Sequence, residues 1–581
     1  MQQARIGDLD DLRTKGRLTG KVGSQPVCVF WSDGDAYAVD DRCPHMGFPL
    51  HRGTVENGLL TCHWHHARFD LASGGTLDPF ADDVRAHDVE LDGGDVLVVI
   101  RTEPDLVAHH LRRLEEGLEH GLSLVTAKAV LALLDLVGPE GGATVAVRTG
   151  LEFGIRNRDA GWGSGLTVLT AMANVLPVLD RSERALALVH GLSFLSGDTR
   201  GRPPRFPLSP LAPGIPTHRL ASWYRRFVDT RNGDAAERVI TTAAASGSDE
   251  SSLAALAGAA VTDHVFVDGG HTIDFTNKAF EVLGHVGWER AATVLPTLAH
   301  QMASASRSEE SGSWRHPYDL AAILAAAGKQ VSEEAQPGTQ NGPDRFGAAD
   351  IEALAWTVLG DDPTEIITAL DGASERGATS EHLARAVAYA AALRLVRFHV
   401  QNDHGDWDVV HHGFTAASAT HQLIRRAPTA ELTRGVYQAA LKVFLDRFLN
   451  IPAARLPIYH QLASAAPDLS ALQACWDQEG MVDEAGAIVY GWLHSGRDQD
   501  AVIAALGSAL LAEDAEFHWY QTYEAAVRQA GAWPPGSEPA ALILSGAARF
   551  LAAHTPTRRE LSQVVRIATR LRRGEALYEE I

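Results

Sequence analysis

Residues 43–65 of the chain, CPHMGFPLHRGTVENGLLTCHWH, carry the pattern that decides the fold of its N-terminal part. The pattern is C-x-H, then sixteen residues, then C-x-x-H, so two short segments each offer one thiolate and one imidazole. The four side chains are those of Cys43, His45, Cys62 and His65. They suit a [2Fe–2S] cluster in which two cysteines hold one iron and two histidines hold the other. The alternative is a structural zinc site, but zinc fingers usually pair like ligands at other spacings.

The sequence around this pattern is typical of short β-strands. Apolar runs flank Asp33-Gly34 in residues 26–41 and Gly93-Gly94 in residues 90–100, and both arrangements predict a β-hairpin. Residues 41–75 resemble the Rieske family throughout, and the resemblance covers residues 3–102. It implies a small all-β domain that binds a [2Fe–2S] cluster through the four residues named above. The match is to the ferredoxin and oxygenase type, which implies a cluster that passes electrons onward.

The character of the sequence changes near residue 105. Alanine- and leucine-rich stretches with helical spacing follow, such as the stripe Leu383, Val387, Ala391, Leu395 and Phe398. We therefore predict a multi-domain chain, with a small all-β domain at residues 1–104 and a large all-α catalytic domain at residues 105–581. The polar stretch at residues 331–345 is a possible division within the helical part.

Composition excludes several classes of function. The net charge of −22 argues against nucleic-acid binding, and no apolar run approaches the ~18 residues of a membrane helix. A polar, acidic start and only four cysteines favour a cytoplasmic protein in a reducing compartment. We find no glycine fingerprint for a dinucleotide, so electrons should come from a separate reductase or ferredoxin. The sequence leaves open whether the chain forms a homo-oligomer.

An electron-transfer domain of this kind needs an acceptor, which would be an iron ion in the helical part. Ring-hydroxylating relatives carry D-x-x-H-x-x-x-x-H, and this chain lacks that pattern. We expect a turn at residues 268–270 to bring the imidazoles of His264 and His271 together. We expect a helix break at Gly413 to bring His421 near the adjacent pair His411 and His412. The candidate ligands of a mononuclear Fe(II) are His190, His264, His271, His412 and His421.

Two further residues are candidates for supporting that iron site. Asp274 lies one helical turn after His271, so it could bind the metal or orient that imidazole. Lys278 lies one turn later and could form a helix pair with Asp274, or a carbamate ligand if it is neutral.

The helical part resembles the questin oxidase family in the segments GGHTIDFTNKAF (269–280) and HHGFTAASATH (411–421). This resemblance implies an all-helical, histidine-bound iron oxygenase that oxidises an aromatic or polyketide-like substrate with O2. Two alternatives remain. One is an electron-transfer protein whose helical part is a docking scaffold with structural histidines. The other is a zinc or di-iron centre, although no Glu-x-x-His pair is convincingly placed for the latter.

Overall fold

The structure is a computed structural model and describes residues 2–100, 105–311, 317–334, 346–457 and 468–577. The predicted fold class is confirmed, because a β-rich N-terminal domain precedes a large helical region. The chain divides into two compact units, residues 1–150 with 561–581, and residues 151–560. The domain boundary at residues 104–105 stays a prediction. Most of the possible division at residues 331–345 lies outside the described residues.

The first unit contains two antiparallel sheets. One has six strands in the order β1-β9-β8-β4-β3-β2, and the other has three in the order β5-β6-β7. The strands are β1 (Gln3–Asp8), β2 (Arg17–Val22), β3 (Gln25–Ser32), β4 (Asp35–Asp40), β5 (Thr54–Glu56), β6 (Leu59–Thr61), β7 (Arg68–Asp70), β8 (Ala86–Asp92) and β9 (Asp95–Val99).

Both predicted hairpins are present. Asp33 and Gly34, with φ angles of 52° and 92°, link β3 to β4, while Gly93 and Gly94 link β8 to β9. Positive φ at both central residues is what a tight hairpin turn requires. Two apolar clusters are buried in this unit. One contains Cys43 and Cys62 together with residues of β3 and β4, so the small sheet and its loops pack against the larger sheet.

Helices also belong to the first unit. They are α1 (Leu9–Lys15), α2 (Leu106–His120), α3 (Ser123–Val137), most of α4 (Pro139–Arg156), and, at the C-terminal end, α24 (Glu560–Arg572). The side chain of Asp105 caps α2 by accepting a hydrogen bond from the N–H of Ala108, and Gly121 ends that helix in the left-handed region.

The described residues of the second unit form helices and the loops that connect them, without a strand. Its helices are α5 (Ser164–Val175), α6 (Arg184–Thr199), α7 (Thr217–Asp229), α8 (Gly233–Ala245), α9 (Glu250–Thr262), α10 (His271–Val286), α11 (Ala291–Val294), α12 (Leu298–Ser304), α13 (Leu320–Glu334), α14 (Ala348–Val358), α15 (Pro363–Glu375), α16 (Ser380–Val396), α17 (His404–Arg426), α18 (Ala430–Leu445), α19 (Ser470–Trp476), α20 (Val482–His494), α21 (Gln499–Ala512), α22 (Phe517–Ala530) and α23 (Glu538–His554).

The predicted apolar stripe is buried on α16, where Leu383 and Val387 are each 1% exposed. The helix break expected at Gly413 is wrong, because α17 runs without interruption through that residue. Glycine serves another purpose there. A Cβ at position 413 would lie 2.7 Å from Oδ2 of Asp446, so the missing side chain admits this carboxylate. Among the described helices, none has both the length and the apolar character needed to cross a membrane.

Candidate metal centres

Two similar loops present the predicted cluster ligands. In each loop the cysteine N–H donates to the carbonyl five residues later, and the cysteine carbonyl accepts from the N–H four residues later. These distances are 2.8 and 2.8 Å after Cys43, and 2.9 and 3.0 Å after Cys62. The fourth residue after each cysteine, Gly47 or His66, has a positive φ of 82° or 60°. Both loops therefore turn back at the same point and present one sulfur and one imidazole each.

The side chains of these loops fit the predicted cluster. Cys43 and Cys62 are buried, and the imidazole rings of His45 and His65 lie edge to face with centroids 4.8 Å apart. The Nδ1 atom of His45 is buried without a hydrogen-bond partner. Burying an unpaired nitrogen costs free energy, and bonding to a cluster iron would offset that cost. The assignment of these four residues as ligands stays a prediction that the geometry supports.

Electrostatics at the loops favour the iron-binding forms of Cys62 and His45. The thiol–thiol hydrogen bond with Cys43 lowers the pKa of Cys62 to about 6, while it raises the pKa of Cys43. Burial lowers the pKa of His45 to about 4, with further lowering by Lys128 and His65. A thiolate and a neutral imidazole are the ligand states that such a centre needs.

Comparison with known proteins identifies this part of the chain. Residues 2–88 match the family model described as the Rieske [2Fe-2S] domain. A human "Rieske domain-containing protein" is 32% identical over 118 residues, which are 17% of this chain and 75% of that protein. The "3-phenylpropionate/cinnamic acid dioxygenase ferredoxin subunit" of Photorhabdus laumondii is 32% identical over 106 residues, 18% of this chain and 99% of the subunit.

A solved ferredoxin of carbazole 1,9a-dioxygenase from Nocardioides aromaticivorans is 28% identical and covers 17% of this chain and 100% of its own, with a TM-score of 0.17. The N-terminal part of this chain belongs to the Rieske [2Fe-2S] family, which implies a [2Fe–2S] cluster. Its relatives include ferredoxin components of aromatic dioxygenase systems, which transfer electrons. These relatives cover 17 to 18% of this chain, so the membership is that of the N-terminal part.

In the second unit, three histidines from three helices converge. His271 is the first residue of α10, His412 lies in α17 and His518 lies in α22. One nitrogen from each ring lies within 4.8 Å of the other two. The rings of His271 and His412 have centroids 4.4 Å apart, and the rings of His271 and His518 are stacked at 5.7 Å. The structure thus brings together two predicted ligands and adds one that sequence reasoning missed.

The spacing of one pair of these nitrogens suits a shared metal ion. The Nε2 atoms of His412 and His518 lie 3.0 Å apart. Two nitrogens bonded to one ion at about 2.1 Å lie about 3.0 Å apart when the angle between the bonds is about 90°. All three residues are half-buried, so the site can be reached from solvent. Burial, with the charges of His271 and His518, lowers the pKa of His412 to about 2, which keeps that imidazole neutral.

A carboxylate lies beside one of the three imidazoles. Oδ1 of Asp408 lies 3.2 Å from Nδ1 of His518, on the side of the ring away from His412. When Nδ1–H donates to this carboxylate, the lone pair of His518 is on Nε2 and faces the group. His411, the neighbour of His412, is buried and bonds through Nδ1 to the hydroxyl of Thr522.

Three predicted ligands lie elsewhere and have other partners. His190 bonds to the hydroxyl of Tyr520 at 2.7 Å and to a backbone carbonyl at 3.1 Å. Nδ1 of His264 bonds to Glu309 at 2.8 Å, and Nδ1 of His421 bonds to Gln529 at 3.0 Å. His421 could join His412 only if α17 broke at Gly413, which it does not. We therefore leave these three out of the proposed ligand set.

The two predicted supporting residues belong to a separate buried network. Lys278 donates to Glu281 at 3.0 Å and to Glu524 at 2.9 Å, and its Nζ is 3.9 Å from Asp274. Asp274 accepts from Gln521 instead of orienting His271. The two glutamates outweigh the desolvation of Lys278 and raise its pKa, so the ammonium form is favoured over the neutral amine that a carbamate needs. The helix pair with Asp274 is thus part of a larger ion cluster.

Another group of possible ligands, Asp82, His109 and His110, lies in the first unit. Asp82 is already paired with Nε2 of His109 at 3.1 Å and with Nε of Arg113 at 3.3 Å. Burial lowers the pKa of His110 to about 4, followed by the charges of His109, Arg572 and Arg113. A cation placed here would meet two guanidinium groups, so we assign no metal to this group.

Proposed function

We propose that this chain is an oxygenase that oxidises an organic, aromatic or polyketide-like substrate with O2. Its cluster would pass electrons to an iron ion held by His271, His412 and His518. The observation that carries this proposal is the convergence of three imidazoles from α10, α17 and α22 in one half-buried site. Iron on three such ligands keeps open coordination positions for dioxygen and substrate.

The side chains around the three histidines have defined tasks in this proposal. Asp408 keeps the Nδ1 proton of His518 in place, so the opposite nitrogen remains a ligand. Phe275 and Phe517 have ring centroids 5.7 Å from His271 and 6.0 Å from each other, and Phe194 lies 6.4 Å from Phe517. These rings form an apolar surface beside the imidazoles, which supports an aromatic substrate.

The donor of electrons is a second part of the proposal. We infer a separate reductase or ferredoxin, because the sequence has no glycine fingerprint for a dinucleotide. Rieske relatives of this chain bear the names of ferredoxin components in dioxygenase systems, which supports a chain of separate electron carriers. His65 and its neighbours His63 and His66 are exposed, so the cluster would be reached by its donor on this side.

The alternative is an electron-transfer protein whose helical part contains no metal. The ferredoxin names of several relatives favour it. In that case His412 donates a hydrogen bond to His518, and the trio is structural.

The experiment follows reoxidation of the anaerobically reduced protein by O2, with and without a panel of phenols, quinones and polycyclic aromatic polyketides. An oxygenase should reoxidise slowly alone and faster with a substrate, in step with product formation. His271→Ala should abolish this coupling while the cluster remains reducible, and His421→Ala is the matched control that should keep it. Electron transfer that persists in His271→Ala, with no substrate-coupled oxygen uptake in the wild type, would favour the carrier.

A further inference from the structure

One lysine reaches the cluster loops from outside the region that matches the Rieske family. Nζ of Lys128, in α3, donates to the carbonyl of Pro44 at 2.8 Å and also to the carbonyl of His45. Both acceptors are backbone oxygens of the first cluster loop. Within the described residues the ammonium makes no ion pair, so no carboxylate in direct contact neutralises its charge.

Two arginines of the first unit lie close enough to Lys128 to interact with its charge. Arg113 in α2 donates to the carbonyl of Ala81 at 2.7 Å. Arg42, next to Cys43, donates to the backbone carbonyl of Leu571 in α24 at 3.2 Å. The opposing charges in this region are Asp82 and Glu116, which both pair with Arg113. Of these three basic residues, Lys128 is the one that a helix beyond the family domain brings into hydrogen-bond contact with the first cluster loop.

The electrostatic effect of Lys128 reaches the cluster ligands. Its charge is the second cause, after burial, of the lowered pKa of His45, and it also interacts with Cys43. Reduction of a [2Fe–2S] cluster adds one electron from an external reductant and makes the cluster more negative. A nearby cation stabilises the reduced state more than the oxidised state, and charge and hydrogen bonding are known determinants of cluster potential.

We propose that Lys128 raises the reduction potential of the cluster, so that a helix outside the Rieske family domain sets how readily the cluster gives up its electron. The residue acts through charge and through its two carbonyl contacts, and it is a positioning residue, not a ligand. The proposal depends on the cluster alone. Its test is therefore independent of whether the second unit binds iron.

The test is a redox titration of the full-length protein at pH 7 with dithionite, followed by absorption and EPR. Lys128→Met and Lys128→Gln should lower the midpoint potential, because both remove the charge. Lys128→Arg keeps the charge and should remain close to the wild type. Lys21→Met is the matched control, because Lys21 is an exposed lysine of the same unit, in β2, and its loss should leave the potential unchanged.

Two results would overturn the proposal. One is a wild-type potential in both neutral variants with an unchanged EPR spectrum. The other is an equal decrease in all three Lys128 variants, since that would indicate distortion of the loop and not loss of charge. If the neutral variants fail to hold a cluster, the test is Asp82→Asn made together with Lys128→Arg, because arginine stays charged when the carboxylate is lost. Removal of the opposing negative charge should then raise the potential above that of Lys128→Arg alone, and an unchanged potential would refute the charge effect.

Discussion

Replacing Asp408 by asparagine should weaken metal binding in the second unit without removing any proposed ligand. The carboxylate lies 3.2 Å from Nδ1 of His518, where its negative charge favours the proton on that nitrogen over Nε2. An asparagine amide is neutral and can present its NH2 group to Nδ1, which would leave the proton on Nε2 and turn a ligand atom into a donor.

The expected magnitude follows from this contact. Loss of a carboxylate that orients a metal-binding histidine typically costs about 10–100-fold in metal affinity. At about 1.4 kcal/mol per tenfold change, this equals about 1.4–2.7 kcal/mol. His518→Ala removes one of three nitrogens and should cost more than Asp408→Asn.

The assay is anaerobic titration of the metal-free protein with Fe(II), using a competing chelator to measure the dissociation constant. Asp406→Asn is the matched control, because it makes the same substitution one half-turn earlier on α17, where no side-chain contact to the histidines exists among the described residues. Equal affinity in Asp408→Asn and the wild type would refute the role of Asp408. A similar loss in Asp406→Asn would attribute the effect to α17 and not to His518.

Three other perturbations follow from the structure. His45→Cys should lower the cluster potential toward the roughly −400 mV of all-cysteine centres, because a thiolate adds negative charge; a redox titration that finds no decrease contradicts the ligand assignment. Gly74→Ala should reduce the yield of cluster-loaded protein, because Gly74 has a φ of +78° and a Cβ there would lie 1.8 Å from the carbonyl oxygen of Val84. Gly34→Ala is the less damaging comparison, because a Cβ at that position meets no atom within 4 Å. Asp274→Asn tests the buried network by its pH dependence: burial raises the pKa of Asp274 from 3.8 to about 7, so between these values the unfolded chain releases a proton that the folded chain keeps. The wild type should therefore lose about 3 kcal/mol of unfolding free energy relative to Asp274→Asn as the pH rises from 4 to 7, and parallel urea curves of the two proteins across this range would disprove the shift.

Much of the first unit could be predicted because its determinants are local. The predicted cluster ligands all lie within one stretch of 23 residues, namely Cys43, His45, Cys62 and His65. The hairpin turns depend on adjacent residues in the same way. The burial of α16 also followed from a stripe within a single helix. Patterns of this kind need no knowledge of distant contacts.

The histidine group of the second unit could be predicted only in part. The segments around His271 and His412 each contain several histidines, and for this reason the sequence predicts both residues as ligands. His518 stands in EFHWYQTYE without a second histidine at helical spacing, and its role follows from the packing of α22 beside α10 and α17. Its carboxylate partner, Asp408, lies on another helix for the same reason.

Gly413 shows the limit of local rules. Glycine costs about 1 kcal/mol relative to alanine inside a helix, so a break at this position was the natural expectation. Tertiary packing reverses that preference, because the residues that follow Gly413 on α17 are buried and Asp446 approaches the bare backbone. The error mattered, since the expected break was what would have brought His421 near His412.

The role of Lys128 could not be predicted from the sequence either. The residue lies in an apolar helix, more than eighty residues after the loop whose carbonyls it contacts. Only the packing of α3 on the cluster loops identifies it.

Counting iron in the variant that carries Cys43→Ser and Cys62→Ser shows whether the second unit binds an iron of its own. We expect this protein, purified without oxygen, to lose the two cluster irons and to keep about one iron per chain. Adding His271→Ala or His518→Ala should remove that iron, while adding His421→Ala should not. The iron site in the second unit is contradicted if the double cysteine variant contains no iron and takes up none on titration with Fe(II). None of the three histidine substitutions would then change its iron content.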